Sequence, residues 1–147
     1  MSKLLTSTSI KIVLGLTFSF LMNSAFAQSR SAMKKQCVNV LGTYKENGQM
    51  NLAQLTAGDS AEVNYVFYPG IEYRITMDVQ TALGNVHFKL VDANGVVVFN
   101  SEKSSLPYFD LKFDNTKQLR LQVIAPKDEN DVFVSTGLVM IMVGSKS

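Results

Sequence analysis

Ile71-Glu72-Tyr73-Arg74-Ile75-Thr76-Met77-Asp78-Val79 alternates apolar and polar residues without a slip, the period-two signature of a strand with one buried face. Two further strand-like runs follow. Val86, Phe88 and Leu90 share one face of a run that ends at Asp92, Ala93-Asn94-Gly95 reverses the chain, and Val96 to Phe99 runs back. Asn-Gly is the favoured pair of a type I′ turn, whose central residues both need positive φ. The middle of the chain is therefore expected to be antiparallel sheet.

Upstream, Val63, Tyr65 and Phe67 line one face of a run whose Glu62, Asn64 and Tyr68 point the other way. Pro69-Gly70 suits the two central positions of a turn, so the segments flanking it are predicted to pair as a hairpin. Thr56 to Asp59 is a turn, Met50 to Leu55 a short strand carrying Met50, Leu52 and Leu55, and Tyr44 to Gly48 a loop. Between Ser29 and Leu41, Met33, Cys37, Val40 and Leu41 fall on one helical face with lysines opposite, and Gly42 would end such a helix. Val38-Asn39-Val40 would begin a strand equally well.

Downstream, Asn100 to Ser105 reads as a polar loop. Phe109, Leu111 and Phe113 alternate with Asp110, Lys112 and Asp114, and a turn through Lys117 predicts a hairpin with Leu119, Leu121 and Val123. Ile124-Ala125-Pro126 breaks that strand. From Leu138 to Val143 the last strand, starting near Val132, is apolar at every position, as expected of a strand covered on both faces. Gly137 would mark a bulge or a close backbone approach, where the N-terminal segment is expected to cross. About eight strands with turn signals roughly every 8–12 residues indicate one all-β domain, an antiparallel β-sandwich with a short N-terminal helix.

The chain begins with Lys3 and Lys11, an apolar run from Ile12 to Met22, and Ala25-Phe26-Ala27. This reads as a secretory signal peptide over residues 1–27, cut before Gln28, and too short to favour a spanning helix. The sandwich would then occupy residues 28–147 of an exported protein, periplasmic or extracellular, without stable membrane insertion. Losing Lys3 and Lys11 takes Lys plus Arg from 14 to 12, against 12 Asp plus Glu. A near-neutral chain offers no concentrated basic face for nucleic acid. The single cysteine excludes an internal disulfide. Cys37 is thus a buried small apolar residue, a free thiol or half of an intermolecular bridge.

Leu55-Thr56-Ala57-Gly58-Asp59-Ser60, then Tyr68-Pro69-Gly70-Ile71-Glu72-Tyr73-Arg74-Ile75, then Phe88-Lys89-Leu90-Val91-Asp92-Ala93-Asn94-Gly95 resembles the bacterial pre-peptidase C-terminal domains over about residues 52–125. The order of elements also resembles the eukaryotic GOLD sandwich. The resemblance implies a jelly-roll-like sandwich that serves as an accessory or binding module. Pre-peptidase domains usually accompany an enzyme domain, which is not expected within these 147 residues, and the N-terminal segment and the long apolar last strand depart from the pattern.

Chemistry-bearing residues are few. His87 is the only histidine, and with no nucleophile elbow nearby it reads as a surface residue. One histidine and one cysteine make zinc a poor fit. Asp128, Glu129, Asn130 and Asp131 supply oxygens, yet consecutive acidic and amide residues lack the alternating spacing of a calcium loop, so Asp128, Glu129 and Asp131 are weak metal candidates in a solvated loop. Tyr44, Tyr68 and Tyr108 are the aromatics expected to face outward, hence the candidate binding residues. The expectation is a non-enzymatic exported module without a cofactor, binding a protein or cell-envelope component through a sheet edge or loop end. The alternative is a small ligand-binding module for carbohydrate or calcium.

Overall fold

The structure, a computed structural model, describes residues 28–127 and 133–147. The chain forms two compact units, Met1–Lys34 and Lys35–Ser147. In the first, the described residues 28–34 are helical. The proposed leader, residues 1–27, and the candidate metal residues Asp128, Glu129 and Asp131 lie outside the described residues.

The second unit opens with helix over residues 35–41 and continues as eight strands: β1 (Lys45–Thr56), β2 (Ser60–Phe67), β3 (Glu72–Val79), β4 (His87–Val91), β5 (Val97–Asn100), β6 (Tyr108–Lys112), β7 (Lys117–Ile124) and β8 (Thr136–Lys146). They make two four-stranded sheets, ordered β1-β8-β3-β6 and β2-β7-β4-β5, with antiparallel pairing throughout. Consecutive strands mostly lie in opposite sheets, the eight-strand jelly-roll arrangement. The expected all-β sandwich is present.

Alternation decides the faces. Tyr73 and Ile75 of β3, Tyr65 and Phe67 of β2, Phe88 and Leu90 of β4, and Leu119, Leu121 and Val123 of β7 meet in one core, with Val139, Ile141 and Val143 from β8. Two side-chain contacts bridge the open sides, a ring stack and a hydrogen bond. On the β5/β6 side Phe99 stacks on Phe109 with ring centroids 3.9 Å apart. On the β1/β2 side the Tyr65 hydroxyl donates to Asn51 Oδ1 at 2.6 Å.

Three turns differ from the sequence prediction. Pro69-Gly70 links β2 to β3 in the other sheet, and β6 likewise crosses to β7, so neither pair is a hairpin. Turn chemistry fixes a reversal of direction but not the partner, and the core faces of these strands are satisfied by packing across the sandwich. The β4–β5 hairpin does form, although Asn94 does not take positive φ; among the described residues only glycines do, here Gly95 at 82°. The Gly95 N–H donates to Asp92 O, the Asp92 N–H to Val96 O, and Asp92 Oδ1 accepts the N–H groups of Asn94 and Val96. That is a type I turn closed by a left-handed glycine, a longer connection than type I′.

Other boundaries move too. Tyr44 to Gly48 is not a loop, because β1 starts at Lys45 and absorbs Asn47-Gly48 in a register shift between Glu46 and Met50. Leu55 is in the core, whereas Met50 is exposed. The polar loop after β5 contains a short 3-10 turn, Ser101–Lys103, capped by the Asn100 side chain.

β8 is buried on both faces from Leu138 to Val143, as its unbroken apolar run predicts. Gly42, at φ 60°, ends the helix, and the chain then passes over the outer face of β8. The glycine that marks the crossing is Gly144, not Gly137: a Cβ there would stand 2.9 Å from Leu41 Cδ2 and 3.0 Å from Tyr44 Cβ. Gly137 instead makes room for Leu83 and Gln80 of the β3–β4 connection.

Candidate protein-binding surface

Arg74, on the outer face of β3, gathers two of the three candidate tyrosines. Its guanidinium carbon lies 3.8 Å from the Tyr108 ring centroid and 4.5 Å from that of Tyr44. Nε and Nη2 donate to the two carboxylate oxygens of Asp110 at 2.7 and 2.8 Å, and Nη1 donates to Val40 O at 3.2 Å. Register explains the meeting, because Asp110 is the cross-strand partner of Arg74 and Tyr108 that of Thr76. The Arg74 pKa is raised above its ordinary value, first by the Asp110 hydrogen bond. That of Tyr44 is raised first by burial, with Asp110 adding to it. Arg74 thus occupies one face of each ring and ties the helix end to the sheet. Tyr68 lies elsewhere, on the turn after β2, 56% exposed, with its N–H donating to the Tyr73 hydroxyl at 3.1 Å.

His87 Nε2 is 3.3 Å from Glu102 Oε1, and its side chain is 12% exposed, more buried than the expected surface residue. Cys37 is fully buried; burial first, then the neighbouring Asp78 charge, pushes its thiol up to about 12. Among the described residues no three His, Cys, Asp or Glu side chains converge to hold a metal ion. No helix among them is long and apolar enough to cross a membrane.

The surface that sequence reading missed is on β5. Val96, Val97 and Val98 are 59, 51 and 43% exposed. Consecutive strand residues should alternate between inside and outside, yet Leu90 pairs with Phe99 and Val91 with Val97, which leaves Val98 as the extra residue of a bulge. The bulge turns both valines outward. Of the four edge strands, β1 carries Lys45 and Glu46, β2 Glu62, and β6 Asp110 and Lys112; β5 alone has no charged residue. Charges on edge strands discourage unwanted contacts, so this apolar patch lacks the usual guard. The signal was available as Val96-Val97-Val98 following a turn, a run too apolar for a four-residue edge strand.

No protein-family model and no curated protein matches the chain. Among solved structures the fold is similar to that of Aeromonas hydrophila PliG, a periplasmic lysozyme inhibitor of g-type lysozyme, with a TM-score of 0.52 and 8% identity over 71% of this chain and 89% of that one. At that identity the likeness is one of fold.

Proposed function

We propose that this chain is an exported, non-enzymatic β-sandwich module that binds another protein through the β5 side of the molecule. The observation that carries the reading is the uncharged, bulged edge strand whose Val97 and Val98 face solvent together with Val96 just before it. Fully burying an exposed valine contributes about 1.5–3 kcal/mol, and these three, about half exposed, would each contribute about half of that inside a larger interface. The fold neighbour named as a periplasmic inhibitor supports a protein as the partner and an exported setting. The resemblance of residues 52–125 to pre-peptidase C-terminal domains supports an accessory or binding role.

The test is capture from envelope extract by the wild-type chain and by the Val97→Ser/Val98→Lys variant, with purified g-type lysozyme as one defined partner. The variant is expected to keep its thermal midpoint and lose at least tenfold in affinity. Equal capture by both proteins would refute the reading, as would a partner cross-linked only to the opposite, β1/β2 side.

A further inference from the structure

Strand register sets three side chains in a row across the outer face of the second sheet: Asn64 of β2 pairs with Arg120 of β7, which pairs with Val91 of β4. Gln118 lies two residues along β7 on the same face. With Asp92 and Ala93 these residues line a hollow of about 200 Å³. Val91 is the buried member of this lining: it is 4% exposed and stands outside the main core cluster.

The polar groups of the lining are matched in kind. Asn64 and Gln118 end in planar amides that each offer donors and an acceptor, and Arg120 offers a fork of donors. Glu62 offsets the arginine's charge: its Oε2 lies 3.7 Å from Arg120 Nε, and its Oε1 accepts from Gln122 Nε2. Asp92 Oδ1 is committed to its turn. Planar donor and acceptor forks suit adjacent hydroxyls, the exposed Ala93 methyl suits the C–H face of a ring, and Asp92 and Glu62 beside Arg120 leave no excess positive charge to favour an anion. The volume falls below the roughly 300–1,000 Å³ of pockets for drug-sized molecules. We propose that this hollow binds a neutral saccharide through a single pyranose ring. The site goes beyond the protein-binding reading and adjoins the β5 patch, since Val91 is the cross-strand partner of Val97.

Small polar ligands with few atoms reach affinities of order a millimolar, so the experiment is a titration of the ¹⁵N-labelled protein followed by NMR. The probes are methyl β-glucoside, methyl β-galactoside and N-acetylglucosamine. Expected are saturable shifts at Asn64, Val91, Ala93, Gln118 and Arg120 with at least one probe, and at least a tenfold weakening in Asn64→Ala/Gln118→Ala, whose exposed positions leave the fold intact. Asn64→Ala/Gln118→Ala should still capture the protein partner as wild type does, which separates this site from the β5 patch. Absence of saturable shifts with all three probes, or undiminished binding in the double variant, would overturn the assignment.

Discussion

Replacing Gly144 by alanine tests how the helix end meets the sheet. Gly144 does not have positive φ, so the backbone accepts alanine, and in open space the exchange would stabilise by about 0.4–1 kcal/mol through the unfolded chain. Space is lacking. The new methyl would stand 2.9 and 3.2 Å from the two Leu41 methyls and 3.0 Å from Tyr44 Cβ. Leu41 can rotate away, but the Tyr44 Cβ moves only with its backbone, so the strand and the segment above it must part slightly. Overpacking of this kind costs about 1–3 kcal/mol, leaving a net loss of up to about 2.5 kcal/mol and a matching drop in Tm. Leu41→Ala alone removes a fully buried side chain and should cost about 2–5 kcal/mol. In the double variant the added methyl enters the vacated volume, so the two losses should fall short of their sum by about 1 kcal/mol or more. Urea denaturation of all four proteins closes the cycle. A stabilised Gly144→Ala, or additivity within about 0.5 kcal/mol, would show that Leu41 does not press on this glycine.

Cys37 should resist a thiol reagent at pH 8 in the native protein and react once denatured, because it is buried and its thiol is pushed up to about 12; rapid native labelling would contradict this. Burial also raises the Tyr65 hydroxyl from 10.0 to about 12. Since the unfolded chain releases both protons first, stability should hold below about pH 9 and fall as pH rises toward 12; Tyr65→Phe should flatten that fall in denaturation at stepped pH, at the expense of about 1 kcal/mol near neutrality for the lost Asn51 hydrogen bond. Arg74→Ala should cost about 2 kcal/mol, summing two ring contacts, an ion pair whose Asp110 side is largely solvated, and the bond to Val40 O; Arg74→Lys should recover less than half, and a loss below about 0.5 kcal/mol in urea melts would make the cluster incidental.

What the sequence discloses and what it withholds divide along a physical line. Alternation is local, and it placed the core faces of β3, β2 and β7 because each buries one side of a single strand. The unbroken apolar run of β8 went further, since a strand apolar on both faces requires a cover that only the N-terminal helix could supply. Pairing is not local. Pro69-Gly70 and Asp114 to Lys117 look like hairpin turns, and the composition of a turn does not encode whether the next strand joins the same sheet or the facing one. The candidate surfaces follow the same rule. Tyr44 and Tyr108 read from the sequence as outward aromatics, but their neighbour Arg74 comes from a strand whose register with β6 no motif announces. The valine patch depends on a bulge of one residue, and the hollow on the alignment of β2, β7 and β4. A slip of one residue in that alignment would turn Asn64 and Arg120 into the core and expose Tyr65 and Leu119. The burial of the core therefore enforces the register of the surface row, and side chains that contribute nothing to the core are held in place by those that do.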